Sequence, residues 1–280
     1  MEYKLSEKET NFMSRDKKIK MTNILRNIFI GLVLFFLYLP IIMVIVFSFN
    51  TSEMNIVFEG FTLKWYGSFF KNRTLMESLE NTLIIAVAST VISVVVGTIG
   101  AVGLNKYEIK GKKILDILLY VPIVIPEIVL GVALLSIFSM LNMDMGLFTM
   151  ILGHVTFCIP FVVISVRARL AGFDKNLEEA AMDLGANHFN TFMKVTLPLI
   201  LPGVISGTVL SISLSLDDIV ISFFCSGPGS MTLPLKILDM VKHGVSPEVN
   251  ALSSIITLVI IIIISINTQM QVNKLKNLKA

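Results

Sequence analysis

The sequence carries little charge and only two cysteines. Asp, Glu, Lys and Arg make up 15 % of the 280 residues, whereas hydrophobic residues make up 54 %. Soluble domains contain about 25 % charged residues, so this composition argues against a soluble protein and favours an integral membrane protein. Cys158 and Cys225 have no C-x-x-C or histidine spacing beside them, which argues against a zinc site or a disulfide framework. We expect both to be small, buried hydrophobic residues.

Motifs for nucleotide hydrolysis and other catalysis are missing as well. The sequence has no G-x-x-x-x-G-K-S/T phosphate-binding loop, and the spacing of Gly97, Gly100 and Gly103 suits helix packing. Its histidines lie in separate segments without a Ser-His-Asp arrangement: His154, His188 and His243. His154 is expected to be a buried hydrogen-bonding residue. These absences predict a protein that is not an enzyme, with no catalytic residue, no metal ligand and no cofactor of its own.

Long apolar runs are abundant. Six stretches are long enough, or nearly so, to cross the roughly 30 Å hydrocarbon core as helices of about 20 residues. They cover residues 27–49, 81–104, 114–139, 147–167, 199–222 and 250–270. Because a backbone in lipid must satisfy its own hydrogen bonds, we predict an all-α, polytopic membrane protein with six transmembrane helices. Pro122 is expected to kink the third span. No cleavable signal is expected, since the first residues are polar and mixed in charge.

Lysine and arginine are distributed unevenly among the predicted connections. Eighteen of the 23 basic residues lie in the N-terminal tail, the 105–113 loop, the 167–198 segment or the C-terminal tail. The positive-inside rule therefore predicts that both termini are cytoplasmic. We divide the chain into a basic tail at 1–24, a transmembrane domain at 25–272 and a second tail at 273–280. The N-terminal tail is expected to be a disordered or surface-lying extension.

A long cytoplasmic connection, placed at 170–198, joins the fourth and fifth spans and suggests a docking role. Asn176 is a candidate cap for a first helix, and Gly185 is expected to end or bend that helix. A second amphipathic stretch leads to Pro198, which suits the start of the fifth span. The pattern predicts a helix–turn–helix elbow at the membrane face. From the residues alone, a linker that packs its aromatic side chains on the bundle is an equal alternative.

The same segment resembles the EAA loop of bacterial ABC importer permeases. The match consists of residues 179–181, Gly185 and residues 195–198, with valine replacing isoleucine at 195. The resemblance implies a type I ABC importer permease fold, in which this elbow is the coupling helix that seats in a cleft of a separate ATPase. ATP and Mg are then bound by the partner ATPase. The coupling residues that it implies are Glu179, Ala180, Ala181, Gly185, Leu197 and Pro198.

Three carboxylates lie in the predicted spans, where ionisable groups are energetically unfavourable and often functional. They are Glu127 in the third span and Asp217 and Asp218 near the outer end of the fifth. Each is a candidate for the substrate path, where a carboxylate would attract a cationic solute. The alternatives are an internal pair for Glu127 and, for the aspartates, helix capping or pairing with Lys236 or Lys242.

Further stretches resemble the C-type permease subunits of spermidine/putrescine ABC importers. They include residues 61–66, 122–131, 214–222, 227–236 and 244–252, and the resemblance extends over nearly all of the chain from about residue 25. It implies one half of a translocation path for polyamines in the bacterial cytoplasmic (inner) membrane. The implied partners are a second homologous permease subunit, an ABC ATPase dimer and an extracytoplasmic polyamine-binding protein. No nucleic-acid partner is expected.

Two alternative functions stay open from the sequence. A permease of the same type for thiamine, ferric iron or a phosphonate would share the elbow. An anionic substrate, however, predicts buried lysine or arginine in the spans, and the sequence shows none there. A channel or a secondary carrier would need no ATPase and would tolerate charge in the elbow.

Overall fold

A computed structural model of the chain describes residues 2–53, 57–107, 110–172, 174, 176–243 and 247–277. The described residues form helices and no strand, which confirms the all-α prediction. A π-helical turn, Phe192–Thr196, separates the eighth and ninth helices. In chain order the helices are α1 (Glu2–Phe47), α2 (Lys64–Lys71), α3 (Arg73–Lys106), α4 (Lys112–Val124), α5 (Glu127–Met140), α6 (Leu147–Leu170), α7 (Asn176–Asp183), α8 (His188–Thr191), α9 (Leu197–Asp217), α10 (Val220–Cys225), α11 (Leu233–His243) and α12 (Pro247–Asn277).

Several of these helices are long and apolar enough to cross a membrane. Within the described residues, four stretches meet that test: Met21–Phe47, Arg73–Lys106, Leu147–Leu170 and His188–Asp217. A fifth crossing results if α4 and α5 form one broken span, and α12 contains a shorter apolar stretch, Pro247–Ile262. The chain is therefore a multi-pass helical protein, whereas the count of six spans stays a prediction.

The third predicted span is two helices instead of one. α4 and α5 are bent by 112° across Ile125 and Pro126. Pro126 has no backbone N–H and favours an extended conformation at the residue before it, which Ile125 adopts with φ −71° and ψ 136°. The third span was predicted to kink at its prolines; Pro122 lies inside α4, and the chain breaks at the second proline, Pro126.

Two other helix bounds differ from the sequence prediction. α9 ends at Asp217, and Asp218 and Ile219 separate it from α10, so the predicted fifth span is interrupted near its outer end. At the N-terminus, α1 runs from Glu2 to Phe47 without a break, so residues 2–24 of the predicted tail are helical instead of disordered, and a surface-lying extension stays a prediction. The first glycine of the sequence is residue 31, so no glycine lowers the helix propensity of the tail.

One compact unit comprises α3 to α11 and is packed around α6. Val162 of α6 lies against glycines of two neighbouring helices. A Cβ on Gly97 of α3 would lie 2.8 Å from the Val162 Cβ, and a Cβ on Gly207 of α9 would lie 3.0 Å from the Val162 Cα. These glycines let the helices approach closely. The packing role predicted for the glycine cluster is confirmed at Gly97 and stays a prediction at Gly100 and Gly103, whose Cβ positions have no described atom of this chain within 4 Å.

The other compact unit contains α1, α2 and α12. The chain after α1 folds back on the start of α2, where the Trp65 Nε1–H donates to the carbonyl oxygen of Asn50 at 2.6 Å. The Asn50 side-chain amide donates in turn to the carbonyl of Val57 at 2.7 Å. Asn50 and Trp65 are both buried. The aromatic stretch at 61–66 therefore contributes to fixing this turn.

Candidate functional site

The predicted elbow is formed by α7, a short turn and α8. Asn176 is the first residue of α7 rather than its cap, and its backbone N–H donates to the Asp174 Oδ1 at 3.0 Å. The prediction that Asn176 caps the helix is therefore wrong, because the carboxylate two residues earlier accepts the hydrogen bond. Glu178 and Glu179 lie in the first turn, where negative charge is favourable to the helix dipole.

Gly185 ends α7, as predicted. Its φ of +87° lies in the left-handed region that glycine adopts without a steric penalty. The N–H of Gly185 donates to the carbonyl of Met182 at 2.9 Å, and the N–H of Ala186 donates to the carbonyl of Ala181 at 3.1 Å. These two bonds form a Schellman cap. A Cβ on Gly185 would have no described atom within 4 Å, so within this chain the requirement for glycine arises from the backbone conformation.

The second half of the elbow continues into the membrane helix. Asn187 caps α8 through its side chain, which accepts a hydrogen bond from the Asn190 N–H at 2.8 Å. The helix then widens through the π turn, where the Leu197 N–H donates to the Phe192 carbonyl, and continues as α9. Pro198, which has no N–H to donate, lies at the start of α9 as predicted.

The elbow presents its side chains to the outside of the unit. None of the eight residues of α7 is buried, and Glu179, Ala180 and Gly185 are exposed. Leu184 is 89 % exposed and Phe189 is 70 % exposed. Phe189 therefore does not pack on the bundle, whereas Phe192, the next aromatic residue of this segment, is half-buried. The remaining residues from the resemblance lie further inside: Ala181 and Leu197 are half-buried, whereas Pro198 is exposed.

A carboxylate that the sequence analysis did not single out connects the elbow to the bundle. Glu178 accepts hydrogen bonds from the Lys106 Nζ at 2.6 Å and from the Thr196 Oγ1 at 2.5 Å. Partial burial acts to raise the pKa of the Glu178 carboxyl, but these two hydrogen bonds and the charge of Lys106 outweigh it and lower that pKa. The only sign of Glu178 in the sequence is that it is a second glutamate, directly before the EAA motif.

At the opposite end of α9, the two adjacent aspartates lie in different environments. Asp217, the last residue of α9, is exposed, whereas Asp218 is buried. The carboxylate of Asp218 accepts hydrogen bonds from the backbone N–H groups of Ile221 and Ser222, at 3.2 and 2.7 Å. It therefore caps α10, which is the alternative that the sequence left open for this pair. Lys236, one of the two candidate partners, pairs with Asp239 instead.

His154 is the centre of a buried polar network around Asp218. Its Nε2 lies 3.3 Å from the Asp218 Oδ2 and 3.2 Å from the Ser222 Oγ, and its Nδ1 lies 2.6 Å from the Ser215 Oγ. Ser215 also hydrogen-bonds to Ser89 of α3 at 3.2 Å. His154 is 1 % exposed, which confirms the prediction of a buried hydrogen-bonding residue. The network connects α3, α6 and α9 to the break after α9.

Glu127 is exposed in the first turn of α5, next to the break between α4 and α5. Its carboxylate interacts electrostatically with Asp217, Asp218 and His154. The two helix breaks thus bring the three predicted carboxylates into one region. Two of them, Glu127 and Asp217, are exposed there, and the buried one is held by protein groups.

The chain matches the family model described as binding-protein-dependent transport system inner membrane component over residues 93–273. It is 43 % identical over 241 residues to the spermidine/putrescine transport system permease protein PotC of Escherichia coli (strain K12), covering 86 % of this chain and 91 % of that protein. It is 39 % identical over 228 residues to the putrescine transport system permease protein PotI of the same strain, covering 79 % and 81 %.

Among solved structures, the fold is similar to a bacterial ABC transporter involved in the import of the acidic polysaccharide alginate. The TM-score is 0.70 at 19 % identity, over 90 % of this chain and 96 % of that one. At this identity the likeness shows the fold, which is that of an ABC importer permease. With the family match and the close relatives, it follows that the chain belongs to the family of binding-protein-dependent transport system inner membrane components, as a multi-pass permease subunit of an ABC importer.

Proposed function

We propose that this permease forms half of a translocation path for polyamines, with spermidine and putrescine as the substrates. The observation that carries the proposal is a region beside two helix breaks, where the carboxylate of Glu127 is close enough to those of Asp217 and Asp218 to interact with them electrostatically. Carboxylates bind ammonium groups by charge-assisted hydrogen bonds, so such a region suits an extended polycation. The relatives named as spermidine/putrescine and putrescine permeases support the same substrate class.

The three carboxylates have different roles in this proposal. Asp217 and Glu127 are exposed, and we assign them to the substrate path. Asp218 is buried and already accepts hydrogen bonds from the backbone of α10 beside His154. Releasing it to bind substrate would leave buried donors unsatisfied, which is unfavourable. Asp218 therefore acts as a positioning residue that maintains the break behind Asp217.

The elbow is proposed to dock one subunit of an ABC ATPase dimer on the cytoplasmic side, where both termini also lie. The exposed side chains of Leu184 and Phe189 supply apolar contact area, and the small residues Ala180 and Gly185 permit close approach. The exposed Glu179 suits a basic group on the ATPase. A second homologous permease subunit completes the path, and an extracytoplasmic polyamine-binding protein delivers substrate to the outer side.

The transport cycle is proposed to be alternating access. Closure of the ATPase dimer upon ATP binding moves the elbows and opens the permease outward, where it accepts substrate from the binding protein, and hydrolysis returns it to the inward-facing state. This chain supplies the geometry of the path and the mechanical connection. ATP and Mg are bound by the partner ATPase.

The test is ATP hydrolysis by the complete complex in liposomes. The binding protein is offered with spermidine, putrescine, thiamine, ferric iron or a phosphonate, each separately. We expect stimulation by the polyamines alone. Stimulation of ATP hydrolysis by another solute would exclude the polyamine assignment. Uptake of solute into the same liposomes without ATP would instead indicate a channel or carrier.

A pair of variants tests the path assignment in the same system. Asp217→Asn removes one exposed carboxylate and is expected to raise the polyamine concentration for half-maximal uptake by roughly 10- to 100-fold, since a charged hydrogen bond contributes about 1.5–3 kcal/mol. Asp144→Asn removes an exposed charge from the connection between α5 and α6 and serves as the control. Equal effects of the two changes would contradict a specific role for Asp217.

A further inference from the structure

The short helix α7 is held by few apolar contacts. None of its eight side chains is buried, so burial of hydrophobic surface contributes little to fixing its position. A cavity of about 160 Å³ lies beside it, lined in part by Val102, Leu170 and Met182. An element that is to transmit a displacement needs a stiff connection, and polar contacts must supply it here.

Glu178 makes that connection with both of its carboxylate oxygens. Oε2 accepts from the Nζ of Lys106, the last residue of α3, at 2.6 Å. Oε1 accepts from the Oγ1 of Thr196, a buried residue that ends the π turn and precedes α9, at 2.5 Å. We call these three residues, Lys106, Glu178 and Thr196, the elbow strut. It joins α7 to two long helices at once.

The strut is shielded from water more than a surface ion pair. The side chains of Lys106 and Glu178 are 34 % and 14 % exposed, whereas those of the Arg73–Glu77 pair at the other end of α3 are 90 % and 55 % exposed. Charge-assisted hydrogen bonds are stronger where solvent and salt screen them less. The adjacent Glu179 is exposed. The neighbouring glutamates thus differ in their environment: Glu178 is bound to the bundle, whereas Glu179 is exposed.

We propose that Glu178 is a positioning residue that transmits the displacement of the elbow to α3 and α9. This inference rests on the proposed docking of an ATPase at the elbow. The two helices that the strut joins are also joined farther along, where Ser89 in the middle of α3 hydrogen-bonds to Ser215 near the far end of α9, next to His154. A movement of α7 therefore reaches both helices that border the buried network behind Asp217.

The experiment compares Glu178→Gln with the unmodified permease in the complete complex, reconstituted in liposomes with binding protein and spermidine. Glutamine keeps the size of the side chain and removes its charge. We expect the ATPase to co-purify normally and basal ATP hydrolysis to persist, whereas spermidine transported per ATP falls by about 5–150-fold, the range of typical coupling energies. If Glu178→Gln does not insert into the membrane, Lys106→Gln tests the same ion pair from its other side, and we expect it to cause the same loss of transport per ATP.

Two further variants separate coupling from a general structural effect. The exchange Lys106→Glu with Glu178→Lys restores the opposite charges and is expected to recover most of the transport per ATP. Glu77→Gln, which breaks the exposed pair on α3, is expected to leave it unchanged. Normal transport per ATP in Glu178→Gln, loss of the ATPase from that variant alone, or no recovery in the exchange would each overturn the inference. If the unmodified permease itself did not retain the ATPase, the proposed docking would fail instead.

Discussion

Replacement of Gly185 tests the geometry of the elbow most directly. Its φ of +87° lies in the left-handed region. An alanine at this position would have to adopt the same conformation, which costs a residue with a Cβ about 1–2 kcal/mol. That free energy corresponds to a factor of about 5–30 in the population of the capped elbow. Buried side chains on α7 would oppose such a loss, but this helix has none. Asparagine adopts the left-handed region more readily than alanine, so Gly185→Asn should disturb the backbone less than Gly185→Ala.

Bulk and charge act separately from backbone conformation at this position. No described atom lies within 4 Å of a Cβ on Gly185, so the chain itself accommodates a side chain there. A docked ATPase would not, and Gly185→Asp adds both volume and a negative charge at the proposed interface. We therefore expect Gly185→Asp to insert normally and to lose ATP-driven uptake, with Gly185→Asn retaining more uptake than Gly185→Asp.

The assay is ATP-driven polyamine uptake by proteoliposomes, with the amount of permease in the membrane and of co-purified ATPase measured beside it. Uptake by Gly185→Asp equal to that of the unmodified protein would refute the docking assignment. If Gly185→Asn were as inactive as Gly185→Asp, the volume of the side chain would account for the loss. If Gly185→Ala were less active than Gly185→Asn, the backbone strain would account for it.

Three more predictions concern the packing, the buried network and the strut. Gly97→Leu should destabilise the protein by about 1–3 kcal/mol through overpacking against α6, whereas Gly100→Leu, with no described neighbour, should not, as measured by thermal unfolding in detergent. His154→Phe should lower the free energy of unfolding by about 3 kcal/mol, because it removes the partner of a buried carboxylate. The control His188→Phe replaces an exposed histidine and should change that free energy by less than about 0.5 kcal/mol. The pKa of the Glu178 carboxyl is lowered, so the stabilisation from its ionised form is present above its ordinary pKa and is lost as the pH falls through the lowered value. Transport per ATP should therefore stay constant down to the ordinary pKa of a glutamate and decline only at lower pH.

Opposite results would contradict specific steps of this reasoning. Equal unfolding temperatures for the two glycine variants would mean that α3 and α6 can separate without loss. A stable His154→Phe protein would mean that the buried carboxylate finds another partner. A decline in transport per ATP well above pH 5 would mean that Glu178 is not the group that titrates.

Features decided by a few neighbouring residues could be predicted from the sequence. Gly185 was identified because a helix that ends in a left-handed residue requires glycine, and the structure has that conformation and its two hydrogen bonds. The third span was predicted to bend because it contains prolines, and it breaks at the second of them, Pro126. Pro122 is tolerated inside α4, and only the geometry around Ile125 and Pro126 decides where the helix stops.

Contacts between distant parts of the chain could not be predicted in the same way. Lys106 and Glu178 are 72 residues apart, and His154 and Ser215 are 61 residues apart. The sequence shows that such groups need partners, but many candidates exist in a chain of this length. The EAA resemblance drew attention to Glu179, although its neighbour Glu178 is the residue held by the bundle.

The pair Asp217 and Asp218 shows why residue type alone was insufficient. On a continuous helix, two adjacent aspartates would differ only by a rotation of about 100°, and neither would be favoured for the path. The break after Asp217 changes this, because the extended backbone at Asp218 directs its carboxylate to the N-terminus of α10 and to His154. The helix break thus converts one aspartate into a cap and leaves the other exposed. With an exposed carboxylate beside a break that contacts a buried histidine, a movement of α9 can change the position of the charge that we propose to bind substrate.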